Sequence, residues 1–364
     1  MNALDIAQKH LQNSQPIVLS TKLTPRSREM GLTPSNDWTS GFYPGCLWIM
    51  YDYTKDESIR NNAETITGFL VEERYNTNDS KIGLKIYSSF GKGLDLTNNA
   101  SYRAVVIEAA KSLATRLNVE VGALQSLPHN IHHDWTYPVS IDDMMNLELL
   151  FAASELSGNP TYYSIAKAHA ITTLNHHFRS DNSCKAMVDC KPKGSEVQNI
   201  GFNNETTSAW SAWSRGQAWA LYGFTSCYRW TKDVRFLERA EKSALFILNN
   251  PNLPDDMVPY WDFHSDTIPT ARDAAAAAII ASALLELSSY PLHNSIRYFK
   301  AGESMLKSLS SPQYLAEPGT NSNFILKHAT GNFNLNTEVD DALIYADYYY
   351  IEGLLRYVNK ISSI

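Results

Sequence analysis

Helix-forming periodicity runs along almost the whole chain, and it recurs in pairs. Apolar residues fall at helical spacing through 41–53, 58–73, 102–117, 144–157, 160–177, 216–230, 234–249, 273–289, 295–309 and 341–358. Few segments show the alternation of a half-buried strand. Within several pairs the connecting turn has the same chemistry: Tyr53-Thr-Lys-Asp-Glu-Ser, Leu156-Ser-Gly-Asn-Pro-Thr and Trp230-Thr-Lys-Asp-Val-Arg. Each offers a helix stop and then a polar residue able to cap the next helix. The first helix of a pair is rich in aromatic and small residues, and the second is ordinarily amphipathic. Such repetition predicts an all-α fold in which hairpins close into an α/α-barrel, with first helices as the inner wall. Loops at one end of the inner helices then form a pocket. An open solenoid is the alternative, although solenoid repeats are usually more regular in length. No linker rich in Pro, Gly or Ser interrupts the pattern, so residues 1–364 are expected to form one domain.

With 364 residues, 44% of them hydrophobic, the chain can bury a large core. A net charge of −7 without a basic block argues against nucleic acid as a partner. No apolar run reaches the length of a membrane span, which argues against a membrane role. The longest weakly polar stretch, 274–287, is Ala-rich and reads as a buried helix. Cys46, Cys184, Cys190 and Cys227 show no zinc-like spacing. Cys46 and Cys227 are expected to be buried free thiols, and Cys184 and Cys190 are expected not to pair. The chain opens on an amphipathic stretch with no signal peptide. A cytoplasmic location is consistent with this, as is export with a leader outside this sequence. No cofactor or metal is expected, and no feature specifies an oligomeric state.

The segment Tyr137-Pro-Val-Ser-Ile-Asp-Asp-Met-Met-Asn-Leu-Glu-Leu-Leu150 carries the chemistry. It places Asp142 and Asp143 at the start of an apolar helix. A carboxylate there is favoured by exposed N–H groups and the helix dipole, so capping is one sufficient reason for its presence. Elsewhere the chain supplies groups suited to an acidic sugar. Trp38, Trp213 and Trp219 offer flat apolar faces, although core packing explains each Trp equally well. Arg215 can hold a carboxylate through two parallel hydrogen bonds, and Gln217 can reach a hydroxyl.

Several long motifs resemble the unsaturated glucuronyl hydrolases, glycoside hydrolase family 88. They are Asn36-Asp-Trp-Thr-Ser-Gly-Phe-Tyr-Pro-Gly-Cys-Leu-Trp48, the 141–150 segment, Trp213-Ser-Arg-Gly-Gln-Ala-Trp-Ala-Leu-Tyr-Gly223, Val258-Pro-Tyr-Trp-Asp-Phe263, Ala271-Arg-Asp-Ala274 and Tyr345-Ala-Asp-Tyr-Tyr349. The resemblance runs from about residue 7 to 358. It implies an (α/α)6 barrel of six helical hairpins. It also implies action on the 4,5-unsaturated uronic acid at the non-reducing end of an acidic oligosaccharide, of ulvan-like or glycosaminoglycan-like origin. Asp142 matches the carboxylate that serves the family as general acid and base, and Asp143 is expected to be structural.

The departures from the family are concentrated on the pocket. A family His-Asp pair becomes Ser80-Lys81, with Asp79 nearby. A family His falls near Lys185 and Ala186, a His-Gln-Gly segment at Asn204-Glu205-Thr206, and a Trp at Leu127. An apparent insertion at 128–134 brings His129, His132 and His133. Three reactions fit. The favoured expectation is a dehydratase that eliminates water from a saturated terminal glucuronyl residue, with Lys81, Glu205, His132 and His133 joining Asp142 as catalytic groups. The first alternative is hydration of the 4,5 double bond with release of the uronate. The second is a glycan-binding relative without catalysis. For Lys81 a solvated surface lysine is the simplest account, and for the three His a polar surface loop. The His129/His132 spacing is only a weak metal signal.

Overall fold

The computed structural model describes residues 2–127, 135–190, 198–200 and 210–362. The helices are α1 (Ala3–Thr21), α2 (Phe42–Thr54), α3 (Glu57–Gly68), α4 (Ile82–Ile86), α5 (Lys92–Thr97) and α6 (Ala100–Ala114). They continue with α7 (Leu147–Ser157), α8 (Pro160–His176), α9 (Ser214–Thr231), α10 (Val234–Leu248), α11 (Ala274–Leu287), α12 (Ser295–Leu309) and α13 (Ile344–Ile361). A π-helical turn, Tyr87–Gly91, joins α4 to α5 in one inner element.

The inner elements close a ring. α2 packs on α13 and α5, α4 on α7, α7 on α9, α9 on α11, and α11 on α13. Outside them lie α1, α3, α6, α8, α10 and α12, each against its inner neighbour. This is the expected (α/α)6 barrel. Burial follows from it. α2 is buried from Phe42 to Met50, α9 from Ser214 to Cys227 and α13 from Ile344 to Leu354. α11, buried almost throughout, occupies the Ala-rich 274–287 stretch. Outer helices bury a single stripe, as α10 does with Phe236, Ala240, Ala244 and Ile247. The four Cys are free and buried. Among the described residues no helix is long and apolar enough to cross a membrane.

The recurrent turns have one local cause. Lys55, Gly158 and Lys232 each end an inner helix in the left-handed conformation. The next residue, Asp56, Asn159 or Asp233, caps the outer helix by accepting the N–H two residues on. The hydroxyl of Thr54, Ser157 or Thr231 in turn accepts the cap's own N–H. Three hydrogen-bonding residues thus reverse the chain without an insertion.

Small sheets decorate the barrel. β1 (Thr24–Ser27) pairs with β2 (Gly31–Thr33), and β3 (Leu117–Asn118) with β4 (Ala123–Leu124). β5 (Pro138–Ser140), β6 (Met187–Asp189) and β7 (Gln198–Ile200) form an antiparallel sheet. β8 (Ala329–Asn332) and β9 (Thr337–Asp341) make a hairpin. Two helical elements lie outside the periodic spans of the sequence, α1 and the α4–α5 element. One span starts too early: residue 341, read as helical, ends β9, and α13 begins at Ile344.

On α13 the Asp347 carboxylate accepts the N–H groups of Ile325 and Leu326, both at 2.9 Å, and so ties the 315–326 loop to the barrel. Burial pushes its pKa up to about 8, against those two hydrogen bonds. A carboxyl raised in the folded state stabilises most below its unfolded value near pH 4, and that contribution fades as pH rises through about 8. Stability is therefore expected to fall by up to about 1.4 kcal/mol per pH unit in that window from this group. Thermal unfolding from pH 5 to pH 8 should show the decline, and Asp347→Asn should flatten it. An unchanged slope in the variant refutes the assignment.

Candidate active site

One cavity of about 430 Å³ opens at the end of the barrel where the inner helices begin. Trp38 precedes α2, Lys81 immediately precedes α4, and Asp142 precedes α7. Trp213 and Arg215 start α9, and Tyr345 lies in the first turn of α13. Several helix N-termini therefore face one space, which favours a negatively charged ligand. Arg26 of β1, Trp261 and the β8–β9 hairpin, including Phe333 and Glu338, complete the wall.

Asp142 and Asp143 lie in a 3₁₀ turn, Ile141–Asn146, capped by Ser140. The two carboxylates differ sharply. Asp143 is fully buried. Its Oδ1 accepts from Lys81 Nζ at 2.8 Å and from Asn146 Nδ2 at 3.2 Å, and its Oδ2 accepts from Ser126. Burial acts to raise its pKa, but Lys81, His169 and the Ser126 hydroxyl together hold it below the ordinary carboxylate range. Asp142 lines the cavity, and its Oδ1 is buried without a hydrogen-bond partner among the described residues. Burial raises its pKa, with Asp143 adding to the effect, while Lys81, Arg215 and Ser140 oppose it. Asp143 is thus an anion held by three hydrogen bonds, and Asp142 a carboxyl whose proton affinity burial raises.

Lys81 reaches into the cavity, with Nζ 3.9 Å from Asp142 Oδ2. Burial disfavours its ammonium, but Asp143, Asp142 and Asp79 prevail and raise its pKa above the usual lysine value. Its loop is fixed from below. Asp79 accepts the Lys81 N–H at 2.7 Å and pairs with the fully buried Lys85 at 2.9 Å. Asn146 clamps the other side, donating to the Ser80 carbonyl at 2.7 Å and accepting the Leu84 N–H at 3.0 Å.

Trp38, Trp213, Arg215 and Trp219, all singled out from the sequence, line the same cavity. Trp38 leans on Tyr345 at 5.0 Å, and Trp219 meets Tyr349 edge-on. Arg215 is firmly engaged by protein. Nη1 donates to Asp273 at 3.0 Å and to the Thr330 carbonyl, and Nη2 to the Gly331 carbonyl at 2.5 Å. Its plane also covers Trp213 and Tyr345. Gln217 does not line the cavity. Its amide binds both the N–H and the C=O of Cys184. Glu205, His132 and His133, like His129, lie outside the described residues. Among the described residues no group of His, Cys, Asp or Glu is arranged to hold a metal ion.

Sequence reasoning did not select Arg26, Trp261, Phe333 or Glu338 as site residues. Trp261 stacks on Phe333 at 4.3 Å and 10°. A usable signal existed in Gly331-Asn-Phe-Asn-Leu-Asn336, whose Gly and Asn content marks a turn at a hairpin tip. Asn336 does adopt a positive φ of 50°.

Gly83 sets the distance between the Lys81 and Asp142 loops. A Cβ there meets Asn146 Cα at 2.6 Å and its carbonyl oxygen at 2.7 Å, so backbone has to move. Gly83→Ala is expected to cost about 1–3 kcal/mol in stability. It should also lower turnover at temperatures where the variant remains folded. Thermal unfolding and steady-state rates check this, and wild-type values for both refute it.

Comparison with known proteins gives a consistent result. The family model described as Glycosyl Hydrolase Family 88 matches residues 14–285. The unsaturated glucuronyl hydrolase of Formosa agariphila is 42% identical over 334 residues, covering 90% of this chain and 82% of that one. The crystal structure of an unsaturated glucuronyl hydrolase specific for heparin shares 39% identity with a TM-score of 0.92, over 100% of this chain and 97% of that one. A variant of the Streptococcus agalactiae unsaturated glucuronyl hydrolase, complexed with dGlcA-GalNAc6S, gives 26% identity and a TM-score of 0.81, over 98% and 90%. These relatives overturn the expected dehydratase: they are hydrolases of unsaturated glucuronyl groups. The site agrees, because elimination with Lys81 as base needs a neutral amine, and the neighbouring carboxylates hold Lys81 as an ammonium.

Proposed function

The chain belongs to glycosyl hydrolase family 88 and is an enzyme, and from that premise we propose that it hydrates the 4,5 double bond of an unsaturated uronic acid. The substrate is the non-reducing end of an acidic oligosaccharide, and the uronate is released. The observation that carries the reading is Asp142, a cavity-lining carboxyl with an unpartnered oxygen and a raised pKa.

The substrate is a vinyl ether, with C5 joined to the ring oxygen. Protonation at C4 leaves positive charge shared between C5 and that oxygen. Asp142 delivers this proton, and its carboxylate then accepts a proton from the water that attacks C5. The product is a C5 hemiketal. It opens to a ketone, and the C1 hemiacetal left behind releases the remaining sugar. The glycosidic bond breaks without direct attack at C1. Trp38, Trp213 and Trp219 provide apolar faces for the sugar, and the helix N-termini favour its negative charge.

The 4,5-unsaturated chromophore absorbs in the near ultraviolet, so turnover is read as falling absorbance on lyase-generated disaccharides. Asp142→Asn is expected to slow that fall by about 10²–10⁴-fold. The variant should keep its thermal stability near neutral pH, since burial disfavours the ionised Asp142 it removes. In the wild type the rate should decline as pH rises through the raised Asp142 value, where the C4 proton is lost. A wild-type enzyme that leaves the absorbance unchanged, or an Asn variant with near wild-type turnover, refutes the proposal.

A further inference from the structure

Resting on that reading, we propose that the Lys81 ammonium, and not Arg215, receives the carboxylate of the substrate's uronic acid. We propose further that its occupancy loads the proton onto Asp142.

Access and charge pairing separate the cations of the cavity. Three cations among the described residues line the cavity: Arg26, Lys81 and Arg215. Arg26 directs Nη1 to Asp37 at 2.7 Å, and Nε and Nη2 to Glu338 at 3.1 and 3.4 Å. Arg215 directs its two Nη groups to Asp273 and to the carbonyls of Thr330 and Gly331. Those bonds occupy three of the five N–H donors of each guanidinium. Arg26 is moreover matched by two carboxylates, and Arg215 is nearly closed off against Trp213 and Tyr345, its side chain 6% exposed against 17% for Lys81. Lys81 carries three N–H donors, and one goes to Asp143 at 2.8 Å. Asp142, at 3.9 Å, lies beyond hydrogen-bond reach. The ammonium therefore keeps donors for a ligand, in the wall that Asp142 shares. Trp261, also on that wall, has an Nε1 without a hydrogen-bond partner among the described residues and adds a neutral donor for a sugar oxygen.

The consequence for Asp142 is electrostatic. The charged and titratable groups acting on it are Lys81, Asp143, Arg215 and the Cys184 thiol, and Arg26 and Glu338 share its cavity. Of the groups that favour its ionised form, Lys81 acts most strongly. A substrate carboxylate on Lys81 compensates that charge and brings a like charge close to Asp142. The proton needed at C4 is then held more tightly once substrate has bound. Asp143 keeps Lys81 in place throughout, and Asp79 and the imidazole of His169, whose pKa burial lowers to about 4, complete the titratable groups around that pair.

The test compares an unsaturated uronyl disaccharide with its methyl ester, the same molecule without the charge. The wild type is expected to prefer the acid by about tenfold or more in kcat/KM, the scale of one charge-assisted hydrogen bond. Lys81→Gln should bring that ratio close to one, whereas Lys81→Arg should retain most of it. With the acid, the alkaline limb of kcat should lie above that of kcat/KM, and with the ester the two should coincide. Titration calorimetry of both compounds reads the same discrimination without turnover. If Lys81→Gln is too unstable to assay, the wild-type acid-to-ester ratio and the two pH limbs decide. A wild type indifferent to the charge, or a Gln variant with the wild-type ratio, overturns the proposal. Failure of the wild type to consume the acid, with charge discrimination in binding intact, instead refutes the hydration reading and leaves the Lys81 assignment standing.

Discussion

The buried ion pair between Lys81 and Asp143 joins two loops that are 62 residues apart in the chain. It is the shorter of the two ion pairs that link the α4 and α7 entrances among the described residues, the other being Lys81 to Asp142. Such a pair adds little net stability, because desolvation offsets most of the attraction. Breaking one half is a different matter and costs about 3–5 kcal/mol, since an uncompensated charge is left behind. The pair's value therefore lies in placement. It fixes an ammonium 3.9 Å from Asp142, and Asn146 and Gly83 set the backbone spacing that makes this possible. Asp142 owes its remaining freedom to the same arrangement, because the one hydrogen bond that Lys81 gives to a carboxylate goes to Asp143.

A second constraint acts across the barrel. Asp273 caps α11 by accepting the N–H groups of Ala275 and Ala276, and it also binds Arg215 at the start of α9. Arg215 in turn grips the carbonyls of Thr330 and Gly331, which lie on the hairpin that covers the cavity. The hairpin brings Phe333 onto Trp261. A cation that looks from sequence like a substrate clamp is, in the fold, the tie between two inner helices and the cavity's roof. On the proposed assignment, its influence on an acidic sugar is a long-range field added to that of the helix ends.

Much of the barrel was legible because its periodicity is strong and its turns repeat. The elements left out have physical reasons. α1 carries Pro16 and a mixed polar sequence, which weaken the helical pattern. The α4–α5 element is broken by Gly83, Gly91 and Gly93 and by two serines. Small residues there serve close approach: a Cβ on Gly93 comes within 2.8 Å of both Trp48 and Tyr102. Residues that weaken a helix signal are thus the ones the inner ring needs. At the site, residue types were readable and partners were not. Asp142 and the Trp residues stood out in motifs. Nothing local showed that Arg215 would meet Asp273, 58 positions later, or that Gln217 would be consumed by the Cys184 backbone.

The direction of the chemistry illustrates the same limit at the level of protons. Counted as residue types, a lysine where the resemblance implies a carboxylate reads as a gained base, and an aspartate as an ordinary anion. Placed together they exchange those characters. The ion pair with Asp143, supported by Asp79, keeps Lys81 charged, while burial and Asp143 raise the proton affinity of Asp142. On the proposed reading the base candidate serves as a fixed cation and Asp142 as the acid. An acid beside a fixed cation suits protonation of an electron-rich double bond that bears a carboxylate. It does not suit removal of a proton from a saturated ring. On that reading, reaction direction follows from the Lys81–Asp142–Asp143 cluster taken together, with Asp142 acid only because Asp143 and Lys81 are paired beside it.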